Sequence, residues 1–205
     1  MKILAFDLST ARGSIAWLDQ DVDLVWDWPN DRKNSASFFE NVSGLKRQFG
    51  LPEKVIVGLG PGSYAGTRIA ISAAIGLQLA SRAQLIGFSS ICAMEDGETE
   101  YCVIGDARRQ SFFFAHVRDN NLVEGPTLFG ETELRVKMDN AGENMSIFCS
   151  EELPQFQHAV IRYPSARVLA RLAREVNRSF VLPPLEPMYL REPHITTMTA
   201  LARPT

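Results

Sequence analysis

The strongest constraint on the fold of this chain is that one pattern of strands and turns occurs twice, about a hundred residues apart. In the first copy, ILAFDLSTARGSIAWLDQDVDLVWDW, an apolar strand ends at Asp7 and strands at 14–18 and 22–28 follow. In the second copy, YCVIGDARRQSFFFAHVRDNNLVEGPTLF, the first strand ends at Asp106 and two more strands follow in the same order. The duplication predicts two related lobes.

Helical and strand patterns alternate after each triplet of strands. The predicted elements are a helix at 35–49, a strand at 55–59, a helix at about 65–82 and a strand at 84–88, then a short helix near 131–138, a strand at 146–149 and a helix at about 165–178. We therefore expect an α/β fold of two duplicated lobes, each a mixed sheet flanked by helices, with a cleft between them. The expected boundaries are a first lobe at 1–98, a second at 99–192 and a C-terminal tail at 193–205.

Composition excludes several classes of protein. The 205 residues are 45% hydrophobic and carry a net charge of −3, so no global basic surface indicates nucleic-acid binding. No apolar run reaches the roughly 20 residues of a membrane span, and Asp7 interrupts the only apolar stretch near the start. The three distant cysteines, Cys92, Cys102 and Cys149, are typical of buried apolar residues in a reducing compartment. We expect a cytoplasmic protein without membrane contact.

The stretch GPGSYAGTR at 60–68 follows an apolar strand and opens a helix, which is where glycine-rich loops hold phosphate. Its spacing fits neither common signature: no lysine is present for a P-loop, and Ala65 stands where the dinucleotide fingerprint needs glycine. An anion at the helix N-terminus stays possible on this pattern. As a signal for nucleotide binding it is weak.

The helix after this loop, RIAISAAIGLQLASR, is rich in small residues, and a glycine inside a helix costs about 1 kcal/mol relative to alanine. Small residues at helical spacing let another element approach closely. The neighbouring element is either a strand of the same lobe or a helix of a partner. The pattern alone leaves both alternatives open and favours the first.

Five motifs together resemble the TsaB (YeaZ) family of tRNA threonylcarbamoyladenosine biosynthesis proteins. They are ILAFDLST, GLGPGSYAGTRIAI, IGFSS, VIGDARRQSFFF and PMYLRE, in the family's order along nearly the whole chain. The resemblance implies the actin/sugar-kinase/Hsp70-like fold, which has the duplicated lobes expected from the repeat.

The resemblance also implies a role without catalysis. TsaB-like proteins pair with TsaD, the subunit that transfers threonylcarbamoyl to the adenosine beside the anticodon of tRNAs reading ANN codons. They support that enzyme, help recruit the TsaE ATPase, meet tRNA through the complex, and form homodimers alone through much the same surface. Tightly bound cofactors are not expected, and ATP or ADP would enter through the complex.

Partner contacts in this family come from the first-lobe helices. Carried over to this sequence, the expected interface residues are Asn34, Ser35, Phe38, Gly66, Arg68, Ala70, Ala73 and Gly76. The sequence departs from the family at Asn34, where a histidine usually precedes the serine, and in its compact loops between 139 and 165.

No residue is expected to be catalytic or to bind metal. The catalytic relative carries an HxxxH motif on its first-lobe helix, but no histidine lies between 1 and 115 here. Asp7 and Asp106 end strands at positions where kinases of this fold hold Mg²⁺, yet Ser9 replaces the glycine that a phosphate would need. We expect both carboxylates to cap their own turns.

A basic stripe is the remaining candidate site. Arg167, Arg171, Arg174 and Arg178 recur on one side of the last predicted helix. The stripe is either a solvated helix face or a contact for tRNA phosphates. The alternative to a scaffold subunit is an ATP-dependent phosphotransferase or ATPase of the same fold, which measurable turnover by the chain alone would favour.

Overall fold

The computed structural model describes residues 1–30, 35–95, 97–142 and 145–191. The first lobe has the predicted order of elements. They are β1 (Ile3–Asp7), β2 (Arg12–Leu18), β3 (Asp23–Pro29), α1 (Ala36–Phe49), β4 (Lys54–Gly58), α2 (Tyr64–Ser81) and β5 (Gln84–Phe88). The predicted C-terminal tail at 193–205 lies outside the described residues.

The second lobe starts with the same order and has shorter helices, but its last strand, β10, precedes its last helix, α4. Its elements are β6 (Glu100–Asp106), β7 (Phe112–Arg118), β8 (Asn121–Phe129), α3 (Glu131–Asn140), β9 (Ile147–Cys149), β10 (Val160–Ile161) and α4 (Ala166–Leu172). The two-residue strand β10 was not expected from the sequence, because two exposed residues carry no alternation to detect.

The two sheets have the same topology. The first runs β3-β2-β1-β4-β5 and the second β10-β9-β6-β7-β8, each with an antiparallel triplet joined to a parallel set. In both, the strand that ends in aspartate is central and pairs with the next strand as a hairpin. The predicted α/β class and the duplication are confirmed.

Turn chemistry explains the hairpins locally. The β2–β3 turn is closed by Asp19, whose Oδ1 accepts hydrogen bonds from the backbone N–H groups of Asp21 and Val22. The β7–β8 turn uses Asp119 and Asn120, both at positive φ, as the right-handed twist of two-residue hairpins requires. These turns fix the register that places apolar side chains on the inner faces.

Apolar side chains form three clusters. One lies between the first sheet and α1 and α2, and includes Phe38 and Leu45 from the predicted face of α1. A second lies under α3 in the second lobe. The largest joins the two sheets, and α4 contributes Ala166, Leu169 and Ala170 to it. The last helix of the second lobe, α4, therefore packs against the first sheet.

The last helix is shorter than the sequence predicted. The expected helix at 165–178 ends at Leu172, and turns follow. Lys54 Nζ donates to the Ala173 carbonyl at 2.8 Å, and the Arg174 and Glu175 N–H groups bond three residues back, which tightens the end into turns. A side chain 119 positions away stops the helix, and local periodicity cannot show that.

The chain crosses between the lobes at two adjacent places. Met94 and Pro164 form an isolated antiparallel bridge, and the Ser165 N–H donates to the Ala93 carbonyl at 2.8 Å. The segment after α4 then returns along the first lobe, where Val181 pairs with Gly87 of β5. This return places residues 187–191 beside the opening between the lobes.

Candidate functional site

The glycine-rich loop before α2 packs against the turn that follows β1. The Ser63 N–H donates to the Ser9 carbonyl at 2.5 Å. A side chain at Gly62 would collide with the Ser9 backbone, and one at Gly66 would collide with the Leu8 carbonyl. These glycines therefore let the loop and the first turn of α2 sit directly on the β1–β2 turn. The motif serves packing within the lobe, and the space beside these glycines is filled by the chain itself.

Asp7 caps its own turn, as predicted. Its Oδ1 accepts hydrogen bonds from the Ser9 N–H at 2.8 Å and the Ser9 hydroxyl at 2.6 Å. Its Oδ2 faces Gly58 and has no hydrogen bond of good geometry with any described residue. Burial raises the pKa of Asp7, and the hydroxyl groups of Ser9 and Ser90 offset part of that rise.

Asp106 has the same arrangement in the second lobe. Its Oδ1 accepts the Arg108 N–H at 2.7 Å, and its Oδ2 pairs with the Arg108 guanidinium at 2.9 Å. The turn that follows holds Arg108, Arg109 and Gln110 at positive φ. Both aspartates stabilise turns, which confirms the prediction.

A cleft of about 600 Å³ separates the two turns. The Asp7 turn and the glycine-rich loop form one wall, and the Asp106 turn forms the opposite wall. Residues 187–191 of the PMYLRE motif close one side. The structure thus brings four of the five landmark motifs together around one opening.

The expected interface residues divide into two groups. Phe38, Gly66 and Ala70 are buried in the chain's own core, so they lie behind the surface of the first-lobe helices. Arg68 and Gly76 are exposed, Ser35 and Ala73 are partly buried, and Asn34 lies outside the described residues. Nothing packs within 4 Å of the position that a Gly76 side chain would occupy. The interface itself stays a prediction.

The exposed face of α2 carries apolar residues that the prediction left out. They are Tyr64, Ile75 and Leu79, and Leu79 is 79% exposed. Tyr189 lies beside this face, with its ring centroid 5.4 Å from that of Tyr64. Arg68 stacks on Tyr64 and donates to Tyr189 Oη at 3.3 Å. A signal existed in the sequence, because a helix that is apolar all round must bury both sides.

The arginine stripe is engaged within the chain. Arg167 and Arg171 both pair with Asp23, at 2.9 Å and 2.6 Å. Arg174 donates to the Asp19 carbonyl, and Arg178 is mostly buried against the Asp119–Asn121 turn. Two of the four guanidinium groups thus share one carboxylate. Contact with tRNA stays a prediction.

Histidine and cysteine form no evident reactive centre in the described part of the chain. His116 lies 2.8 Å from Glu100 on the second sheet. The cysteines are buried and free, as expected, and burial raises the pKa of Cys92 and Cys102 to about 11. Within the described ranges, no three potential ligands are grouped to hold a metal ion. Metal analysis of the purified protein tests that expectation.

The sequence of this chain is similar to those of two known bacterial proteins. No protein-family model matches it. The tRNA threonylcarbamoyladenosine biosynthesis protein TsaB of Escherichia coli (strain K12) is 28% identical over 164 residues, which is 74% of this chain and 69% of that protein. Over that range the chain is similar to TsaB. An uncharacterized protein of Mycobacterium leprae (strain TN) is 28% identical over 150 residues, 72% of this chain and 40% of that protein.

Solved structures show the same fold for this TsaB-like chain. An uncharacterized Pseudomonas aeruginosa protein with similarity to peptidase YeaZ superposes with a TM-score of 0.72, at 23% identity, over 93% of this chain and 99% of that one. YeaZ from Pseudomonas aeruginosa gives 0.66 at 19% identity, over 84% and 91%. The α/β fold of two duplicated lobes is confirmed, and it is shared with these two structures. Within the described residues, no helix is both long enough and apolar enough to cross a bilayer.

Proposed function

We propose that this TsaB-like chain is a non-catalytic subunit of tRNA threonylcarbamoylation and binds a TsaD-like catalytic partner. The observation that carries the proposal is the sequence likeness to TsaB over 164 residues. The relative's name places that protein in the biosynthesis of threonylcarbamoyladenosine. The ATPase subunit and tRNA join through the complex, and ATP or ADP enters with them.

The turn-capping roles of the two strand-ending aspartates support a function without catalysis. Asp7 is buried and Asp106 is ion-paired, and each hydrogen-bonds to its own turn. Sequence positions 1 to 115 contain no histidine for the metal motif of the catalytic relative. A phosphotransferase would need an open phosphate loop, whereas the Ser63 N–H already bonds to Ser9. These features favour the scaffold over the enzyme.

The exposed face of α2 supports partner binding. Tyrosine and arginine are enriched where interfaces carry most binding energy, and here Arg68 lies between Tyr64 and Tyr189. Gly76 has open space above it, so a partner backbone can approach closely. A standard interface covers roughly 800 Å² on each side, which two helices provide. Alone, the chain forms a homodimer through this face.

Reconstitution with the TsaD-like and TsaE-like proteins of the same organism tests the function. The chain alone should transfer no threonylcarbamoyl group, and the complete mixture should modify tRNA only when the chain is present. A full rate without the chain contradicts the proposal. Transfer or sustained ATP turnover by the isolated chain favours the phosphotransferase alternative.

A bulky change at Gly76 tests the surface. Gly76→Leu should stay folded, because Gly76 is exposed and nothing lies within 4 Å of the Cβ position, but it should elute as a monomer and fail to bind the TsaD-like protein. Thr132→Leu places the same group on an exposed position of α3 and is the matched control. If both variants bind equally well, α2 is not the interface.

The arginine stripe is tested through salt dependence. Each phosphate contact that is removed should lower the log–log salt slope of tRNA binding by about one unit. Arg167→Gln with Arg171→Gln is the informative pair, because these two side chains keep 41% and 61% exposure. An unchanged slope in the assembled complex shows that Arg167 and Arg171 only hold α4 to Asp23.

A further inference from the structure

The cleft between the lobes has no role in the proposed function, yet it has the dimensions of a ligand site. Its volume of about 600 Å³ lies within the range of sites that enclose small molecules. Both lobes and the segment 187–191 line it. Three separate parts of the chain therefore build one concave space.

The interior of the cleft is largely apolar. Ile91, Val103 and Phe113 line it and belong to the core cluster that joins the two sheets. Met188 and Leu190 line it from the returning segment. Side chains anchored in a packed core hold a cavity open without large rearrangement, so the site is preformed.

The ionic groups on the second-lobe wall and the adjoining end of segment 187–191 are engaged within the chain, by one ion pair and by hydrogen bonds to backbone groups. Asp106 pairs with Arg108, and Glu151 Oε1 accepts the Asp106 N–H at 2.9 Å. Arg191 donates to the Arg108 carbonyl at 3.4 Å. These two carboxylates and two guanidinium groups balance in charge. The wall therefore has no net charge to attract a polyanion.

Two hydrogen-bond donors of the first-lobe wall are also engaged within the chain. Thr10 donates its hydroxyl to the Arg12 carbonyl at 2.9 Å, and the Ser63 N–H bonds to the Ser9 carbonyl. An unpaired charge buried here would lose its water without compensation. The chemistry that fits is an uncharged molecule.

We propose that the inter-lobe cleft binds an uncharged small organic molecule with a mostly apolar body. The site discriminates against anions of the same shape, nucleoside triphosphates included. The proposal does not depend on the proposed function, although Tyr64 and Tyr189 lie both beside the α2 face and in the lining of the cleft.

Two dyes that share the same aromatic rings but differ in charge test the preference for an uncharged ligand. N-phenylnaphthylamine is neutral, and anilinonaphthalene sulfonate adds a sulfonate to the same rings. The intact chain should bind the neutral dye saturably at one site, with blue-shifted fluorescence. Its dissociation constant should be at least about tenfold lower than that of the sulfonate. ATP should not displace it.

Two variants locate the site from opposite walls. Ala11→Trp and Ala107→Trp each enlarge a lining residue that is not in the core, so both should fold and bind the neutral dye at least about tenfold more weakly. Leu79→Ser is the control, because it removes the most exposed apolar side chain from α2 and should leave binding unchanged.

Several outcomes overturn the proposal. They are the absence of saturable binding, equal or tighter binding of the sulfonate, displacement by ATP, and loss of binding in Leu79→Ser. Unchanged binding in both tryptophan variants, with native circular dichroism, would also place the dye elsewhere.

Discussion

Asp7 is a carboxyl group that the fold uses as a turn cap although burial disfavours its charge. The Ser9 N–H and hydroxyl bind one oxygen, while the other faces Gly58 and Ser90. An amide has the same shape, keeps an acceptor for Ser9 and places a donor where the second oxygen lies. Replacing Asp7 with asparagine therefore tests whether its carboxyl group serves the fold or a reaction.

Asp7→Asn should raise the free energy of unfolding at pH 7 by about 1 kcal/mol. The pKa of Asp7 is raised in the folded state, so the charged form destabilises the fold above that pKa. The advantage of the variant should shrink as the pH falls through the raised pKa toward 3.8. Urea unfolding at several pH values measures it.

Asp19→Asn is the matched control for this prediction. The Asp21 N–H, the Trp17 indole and the Val22 N–H lower the pKa of Asp19, so its charge is favoured in the folded state. That substitution should reduce stability at pH 7. Destabilisation by Asp7→Asn of similar size would show that the buried charge itself is needed.

The turn at 108–110 keeps three consecutive residues with side chains in the left-handed region. Each such residue costs roughly 1–2 kcal/mol relative to its preferred conformation. Arg109→Gly should therefore raise the free energy of unfolding by about 0.5–1 kcal/mol after the entropy of glycine is counted. Ser111→Gly, next to the turn and without positive φ, should lower it. Equal changes in stability for Arg109→Gly and Ser111→Gly would show that positive φ at Arg109 does not strain the turn.

At the scale of the element, α2 carries a glycine that the isolated chain does not need. Its neighbourhood is empty, so Gly76→Ala should stabilise the isolated chain by about 1 kcal/mol through helix propensity alone. Denaturant midpoints measure this change at protein concentrations low enough to dissociate the proposed homodimer. A loss of stability instead would show that the position is packed in the unbound protein.

The short helix α4 is held at its outer side by one carboxylate. Hydrogen bonding from Arg171 lowers the pKa of Asp23, and the charges of Arg171 and Arg167 add to this effect. Asp23→Asn should reduce stability at neutral pH by less than about 1 kcal/mol, because the pair is exposed. A depressed pKa gives stability above 3.8 that is lost as the pH falls through the folded value.

The difference between wild type and Asp23→Asn should therefore disappear in acid. Asp21→Asn is the control, since Asp21 forms no ion pair with any described residue. A difference in stability between wild type and Asp23→Asn that stays constant from neutral to acid pH would show that the charge of Asp23 does not stabilise α4.

The order of elements could be predicted because strand alternation and helix spacing are local properties. The hairpins and the strand-ending aspartates followed from short stretches such as FDLST and GDARR. The ion pairs of the arginines could not be predicted, since Arg171 and its partner Asp23 lie 148 positions apart in the sequence. The burial of Ala70 and the exposure of Leu79 depend on which side of α2 meets the sheet. An almost uniformly apolar helix does not encode that choice.

At the scale of the whole molecule, the shared core couples the lobes. Residues of both sheets and of α4 form one cluster, so we expect a single cooperative unfolding transition. Trp17, Trp26 and Trp28 report only on the first lobe, whereas thiol reactivity of Cys102 and Cys149 reports on the second. The two urea midpoints should coincide. Separate midpoints would support independent lobes at 1–98 and 99–192.

The position of α4 has a consequence for synthesis on the ribosome. The inner face of the first sheet, with Ile3, Ala5 and Ile56, is covered by Ala166 and Leu169. Those covering residues are translated after most of the chain has emerged, so the nascent first lobe cannot finish its core when its own strands are complete. An apolar sheet face that stays uncovered until α4 is translated is a binding site for chaperones and for other nascent chains. The timing of translation thus becomes part of how this protein reaches its fold.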